Sequence, residues 1–225
     1  MSEAQRLFLT AHDGNIPYTL INGGPGPGVV VVPSIFGIAD DLIEQMGEVA
    51  AKGAWVAIID PFWRTTPAGP MDYSDPGAAL KRLASITVQH SYADFLALVA
   101  LARQSGNGKV LGLGICFGGP FCFMSAASGQ LDGVVTWHGS RLDTFSGAAS
   151  AIACPVRLHF GEKDPVVPLY TVEAIREAFS AHADHQITVH KGAGHGFSHR
   201  TGSAHRPAAE QAGMASMHEL VTRLS

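Results

Sequence analysis

The sequence predicts an α/β fold: one domain over residues 1–225, with a mostly parallel central sheet and helices on both faces. Three observations predict it. Short runs such as Val29 to Val32 and Ala54-Trp55-Val56-Ala57-Ile58-Ile59 are apolar throughout rather than alternating, as strands buried on both faces must be. Stretches with helical periodicity separate these runs. Between residues 114 and 118 the chain reads Gly114-Ile115-Cys116-Phe117-Gly118, with an apolar run before it and a Phe-, Ala- and Ser-rich run after it. That is the glycine-flanked nucleophile of a strand-to-helix elbow, with Cys in place of the more usual Ser. Neighbours without Cβ atoms let strand and helix approach at so sharp a turn.

Residues 6–22 alternate apolar and polar around His12-Asp13-Gly14-Asn15, and Asp-Gly is a strong hairpin signal, so two antiparallel strands are expected first. Gly23 to Gly28 form a Gly/Pro loop. The Val-rich strand ends at Pro33-Ser34-Ile35-Phe36-Gly37, and Asp40-Asp41 open a helix to about Lys52. The strand 54–59 ends at Asp60-Pro61. Residues 61–80 are rich in Pro and Gly and show no period, which predicts an irregular segment, read as a lid or pocket wall with a loose connection as the alternative. A helix is expected from about Ser85 to Arg103, then the strand before Cys116 and a helix to about Ser128. Strands follow at Val134 to Trp137, Val156 to Phe160 and Ile187 to His190, with helices from about Tyr170 to Ala181 and from about Pro207.

Composition narrows the function. Of 225 residues, 46% are hydrophobic and 15% charged, as in a compact globule. A net charge of −4 without a basic block argues against nucleic acid or an anionic membrane as partner. No apolar run reaches membrane-spanning length, and the first residues lack the core of a signal peptide. Three cysteines cannot all pair within the chain, which fits a reducing compartment, so a cytoplasmic location is expected.

Cys116, Asp164 and His195 each fall one to five residues past the end of an expected parallel strand, where open sheets bind their ligands. An imidazole beside a thiol favours the thiolate, and an Asp fixes the imidazole tautomer. Cys122 and Cys154 read as packing residues. The histidines between 182 and 199 are spread across a helix end, a strand and a loop and are not read as a metal site, Gly112 to Gly118 do not complete a dinucleotide fingerprint, and neither cofactor nor metal is expected.

These motifs resemble the dienelactone hydrolases of the α/β-hydrolase superfamily. Gly114-Ile115-Cys116-Phe117-Gly118-Gly119, Asp164 before Pro165, His195 in Gly194-His195-Gly196-Phe197, and Ile35-Phe36-Gly37 carry the likeness, which extends over nearly the whole chain. The resemblance implies hydrolysis of a small ester or lactone through an acyl-enzyme, with Cys116 as nucleophile, His195 as base and Asp164 as its orienting partner. It implies an oxyanion hole from the backbone N–H groups of Ile35 and Phe117. Two departures stand out. Family members carry a gating Glu immediately before Ile-Phe-Gly, where this chain has Ser34, so either His195 alone activates Cys116 or the natural substrate differs. The family's carboxylate-binding Arg precedes Thr-Gly-Ser; here Arg200 does, one residue further from His195 than expected. Arg200 is therefore read either as a substrate contact or as a solvated loop cation, and Lys81 and Arg82 as solvated or as a second cation. Phe36, Trp137, Phe62 and Trp63 are candidates for pocket wall or core. The partner expected is a small-molecule ester or lactone, the default state a monomer. The rival readings are a broader carboxylesterase or thioesterase and a non-catalytic ligand-binding protein on the same fold.

Overall fold

Alternation along the strands sorts the core into two layers. The computed structural model describes residues 4–11, 14–65, 67 and 69–225. Eight strands, β1 (Gln5–Ala11), β2 (Gly14–Gly23), β3 (Gly28–Val32), β4 (Trp55–Ile59), β5 (Val110–Ile115), β6 (Gly133–Trp137), β7 (Val156–Gly161) and β8 (His185–His190), form one sheet in the order β1-β2-β4-β3-β5-β6-β7-β8. Strands β3 to β8 pair in parallel with one another, and β2 runs antiparallel to both its neighbours, β1 and β4. Val30 and Val32 join the core layer with Phe95, Leu98 and Phe121, whereas Val29 and Val31 join the opposite layer with Met46, Met217 and Leu220. Period-two side-chain direction produces this division, and the continuous apolar runs supply both faces.

Helices α1 (Asp40–Ala50) and α6 (Pro207–Leu224) cover one face; α3 (Val88–Ser105), α4 (Gly119–Ala127) and α5 (Leu169–Ala178) belong to the other. Among the described residues, no helix is long and apolar enough to cross a membrane. The chain moves from β3 outward to β4 and then back across β3 to β5, so the direction of winding reverses between β3 and β5. Crevices at such reversal points are where open α/β sheets bind ligands. Ser34 and Cys116 follow the ends of those two strands, whose last registered pair is Val32 with Gly114.

The expected hairpin pairs with Ala11 opposite Gly14; His12 and Asp13, on which part of the expected turn falls, lie outside the described residues. The segment 61–80 is not wholly irregular. Helix α2 (Pro76–Leu83) occupies its end, where the Asp75 side chain caps the Ala78 N–H at 2.9 Å and Pro76 supplies a preset first position. Consequently the helix expected from Ser85 begins at Val88, after a break. A 3₁₀ stretch, Asp143–Ala151, follows β6 where the sequence carried no expectation.

Candidate active site

Strand β5 delivers Cys116 at φ 53°, in the left-handed region that costs a non-glycine residue about 1–3 kcal/mol and persists where the surroundings enforce it. The flanking glycines enforce it by close approach. A Cβ on Gly118 would sit 2.4 Å from the Val32 carbonyl oxygen, and one on Gly114 would sit 2.5 Å from the Gly118 oxygen. The elbow is therefore pressed against β3, and the Ser140 N–H fixes the Cys116 carbonyl at 3.0 Å.

His195, on the loop after β8, places Nε2 at 3.1 Å from Cys116 Sγ and Nδ1 at 2.8 Å from Asp164 Oδ2. The Asp164 side chain is fully buried, and its Oδ1 accepts the backbone N–H groups of Val166 and Val167 at 2.8 and 3.0 Å. Burial works against a charged His195 ring. The hydrogen bonds and charges of Asp164 and Cys116 outweigh that effect and raise its pKa to about 10.

Cys116 and His195 open onto a cavity of about 320 Å³, mostly apolar. Ser34, Ile35, Phe36 and Phe117 line it, so the residues expected for the oxyanion hole and two of those expected near substrate share one wall. Ser34 is buried, and its hydroxyl receives a long contact of 3.4 Å from the Phe36 N–H. The wall expected from residues 61–80 is present in Tyr73, Pro76 and Leu80.

Two expected substrate contacts lie elsewhere. Trp137 is fully buried under α6, where a Cβ on Gly213 would approach its indole nitrogen to 2.6 Å. Side-chain direction in β6 aims it into the core layer of α1 and α6. Arg200 is drawn away by two carboxylates, Glu48 at 2.7 Å and Glu210 at 2.6 Å. Arg82, read as solvated or as a second cation, is neither. It is buried, gives Nη1 to the Gly69 carbonyl at 2.5 Å and Nη2 to the Ile35 carbonyl at 2.7 Å, and lies over the Phe62 ring. Phe62 itself is core.

Two histidines were missed. His199 lines the cavity, stacked on Tyr73 with ring centroids 4.3 Å apart, and burial lowers its pKa to about 4. His138 follows β6 at φ 41°, wholly buried and edge-on to His195 at 4.7 Å, with Nε2 on Ser198 Oγ at 2.9 Å. A spacing one residue longer between His195 and Arg200 was the available signal for His199; a buried strand-end histidine gives none. Cys116, His138 and His195 also bring one potential donor atom each within 4.8 Å of one another, a soft-ligand set that the His195–Cys116 hydrogen bond already uses in part. The pKa of Cys122, wholly buried, is pushed up by desolvation, and Cys154 is raised to about 11, so both remain thiols at neutral pH.

The model of the dienelactone hydrolase family matches residues 18–225. The chain belongs to that family. It is 26% identical over 207 residues to the carboxymethylenebutenolidase of Pseudomonas putida, covering 88% of each chain. It is 28% identical over 207 residues to a carboxymethylenebutenolidase of a Pseudomonas species, covering 89% of this chain and 86% of the relative. Among solved structures, a dienelactone hydrolase-like promiscuous phosphotriesterase from metagenomic libraries is similar at a TM-score of 0.78 and 26% identity, with 99% and 98% of the two chains covered. As a member of this family the chain is a hydrolase of carboxylic esters or lactones, with a small molecule as substrate, on an α/β-hydrolase fold.

Proposed function

We propose that this dienelactone hydrolase-family enzyme cleaves its ester or lactone by thiol acyl transfer, with Cys116 as nucleophile, His195 as proton carrier and Asp164 as the group that orients His195. The single observation that carries this reading is the unbroken hydrogen-bonded line from Sγ through the imidazole to the buried carboxylate, at 3.1 and 2.8 Å. A raised His195 pKa favours the imidazolium, and hence transfer of the Cys116 proton to Nε2.

In this reading the sulfur attacks the carbonyl carbon and forms a C–S bond. The tetrahedral oxyanion is met by the N–H groups of Ile35 and Phe117, each donor of this type being worth about 3–4 kcal/mol. The C–O bond to the leaving group then breaks as His195 returns its proton to that oxygen. Water next attacks the thioester and gives one proton to His195; the C–S bond breaks, the proton returns to sulfur, and the free acid leaves. No gating carboxylate is needed in this scheme, because Ser34 stands at that position and His195 already contacts the thiol.

Hydrolysis of p-nitrophenyl acetate by wild type and Cys116→Ala tests the assignment. Loss of turnover in a folded variant, together with iodoacetamide labelling of Cys116 in the wild type, is the expected result. Full activity in Cys116→Ala removes the thiol from the mechanism.

A further inference from the structure

The wall of the cavity is mostly apolar, its polar side chains beside the Cys116 thiol being hydroxyls and two histidines. Among the described residues that line it, none is Lys or Arg. Both nearby arginines are committed: Arg200 to Glu48 and Glu210, and Arg82 to two backbone carbonyls on the far side of Ile35. His195 has both ring nitrogens hydrogen-bonded, to Asp164 and Cys116. The wall also carries His199, stacked on Tyr73 and touching Phe36 edge-on at 5.7 Å. Burial keeps that ring neutral at any pH at which an ester hydrolase is commonly assayed. Behind Tyr73, whose hydroxyl donates to Asp41 Oδ1 at 2.8 Å, an adjoining hollow is walled by Asp40, Asp41 and Asp72. Leu80, Leu83, Val166 and Phe117 make up much of the remaining wall.

A substrate carboxylate entering this cavity exchanges water for a mostly apolar wall, meets neither Lys nor Arg among the described lining residues, finds the His195 ring already bonded to Asp164 and Cys116, and has the Asp41 carboxylate just beyond Tyr73, a combination that is costly unless the charge is paired. An alkyl or aryl group of the same size meets the apolar wall at no such cost. We propose that the cavity accepts uncharged, largely apolar esters and rejects those bearing a carboxylate, with His199 as the specificity-determining side chain at the place where a cation would be required. The inference rests on the ester-hydrolase reading above but concerns the substrate beyond the reacting bond.

The test is a pair of esters matched in carbon number, p-nitrophenyl valerate and mono-p-nitrophenyl glutarate, compared in kcat/KM after division by their rates of hydroxide hydrolysis. Wild type is expected to favour the valerate by roughly tenfold or more, and His199→Arg to move that ratio toward the glutarate by at least about threefold, less so at high salt. Because Arg at this part-buried, ring-packed position threatens folding, Leu80→Lys, on an exposed residue of the same wall, provides a second cation and the same expected direction. Equal or preferred use of the glutarate by wild type overturns the proposal, as does a ratio that neither folded variant moves. Should neither ester turn over, alkylation of Cys116 decides: iodoacetamide is expected to outrun iodoacetate by a larger factor than it does with glutathione, and a smaller factor overturns the proposal. Cys116→Ala keeps the two readings apart, since hydrolysis that survives it refutes the thiol mechanism while the ester ratio still reports on the cavity.

Discussion

Arg82 reaches 47 residues back along the chain to donate Nη2–H to the Ile35 carbonyl oxygen at 2.7 Å, while Nη1 holds the Gly69 carbonyl. One buried guanidinium thus ties helix α2 and the backbone at Gly69 to the loop that carries Ile35. Replacing it by Leu leaves two carbonyls without their charged donor, each such bond being worth about 1.5–3 kcal/mol. Arg82→Leu is expected to lower the stability of the folded state by a few kcal/mol and to reduce kcat more than it changes KM, because the Ile35 loop loses its anchor. Denaturant melts and steady-state kinetics on p-nitrophenyl acetate check both. Wild-type stability with wild-type kcat would show that the loop is held by other contacts.

Asp164 holds its carboxylate by two backbone N–H groups on one oxygen and the His195 ring on the other. Asp164→Asn retains an oxygen for Val166 and Val167 but presents His195 with an amide that favours the wrong tautomer. Activity should fall by about 10²–10⁴-fold with the fold intact, as judged by circular dichroism. A loss below tenfold would mean that His195 is oriented by its surroundings instead.

The elbow glycines give a paired test of packing against backbone freedom. A Cβ on Gly118 meets the Val32 backbone at 2.4 Å, whereas one on Gly47, in the middle of α1, meets nothing within 4 Å. Gly118→Ala must therefore shift the sheet or the elbow and is expected to abolish activity or folding. Gly47→Ala is expected to stabilise the protein by about 0.5–1 kcal/mol, through the better helix propensity of Ala. Thermal melts of the two variants settle the pair, and a tolerated Gly118→Ala would show that the contact with β3 can relax.

The scaffold and the three side chains that meet at the candidate site were legible in the sequence because each signal is local. Val29 to Val32 announce a doubly buried strand through composition alone, and the Gly-x-Cys-x-Gly elbow is five consecutive residues. Helix α2 escaped notice because Pro and Gly read as breakers, although Asp75-Pro76 is a helix start when a cap follows. Arg82 and Arg200 were misread for a different reason. Whether a guanidinium is solvated, structural or substrate-binding depends on partners 10 to 152 residues away, such as Ile35, Glu48 and Glu210, and no local pattern encodes them. Likewise, nothing in the sequence near β6 tells that Trp137 faces the core while His138 turns toward His195.

Buried histidines set the last prediction, the dependence of stability on pH. Desolvation lowers the pKa of His159 from the ordinary 6.5 to about 3 and that of His199 to about 4, and it holds His138 well below the ordinary value. Between pH 6.5 and those lowered values the unfolded chain binds protons that the folded chain refuses. Stability therefore falls as the pH drops through this window, by up to about 1.4 kcal/mol per pH unit for each such ring. His195 acts with the opposite sign in another window. Its raised pKa gives a contribution that is complete below 6.5 and is lost as the pH climbs toward about 10. Together the two effects place maximal stability close to pH 6.5. Guanidinium melts at pH 5, 6.5 and 8.5 are expected to give the highest midpoint at 6.5, and His159→Gln, which removes one refused proton, is expected to flatten the acid side. A midpoint that does not change between pH 5 and 6.5 would mean that these rings take up protons in the folded state, and that the packing of His159 against His190 and Ser216 opens to admit them.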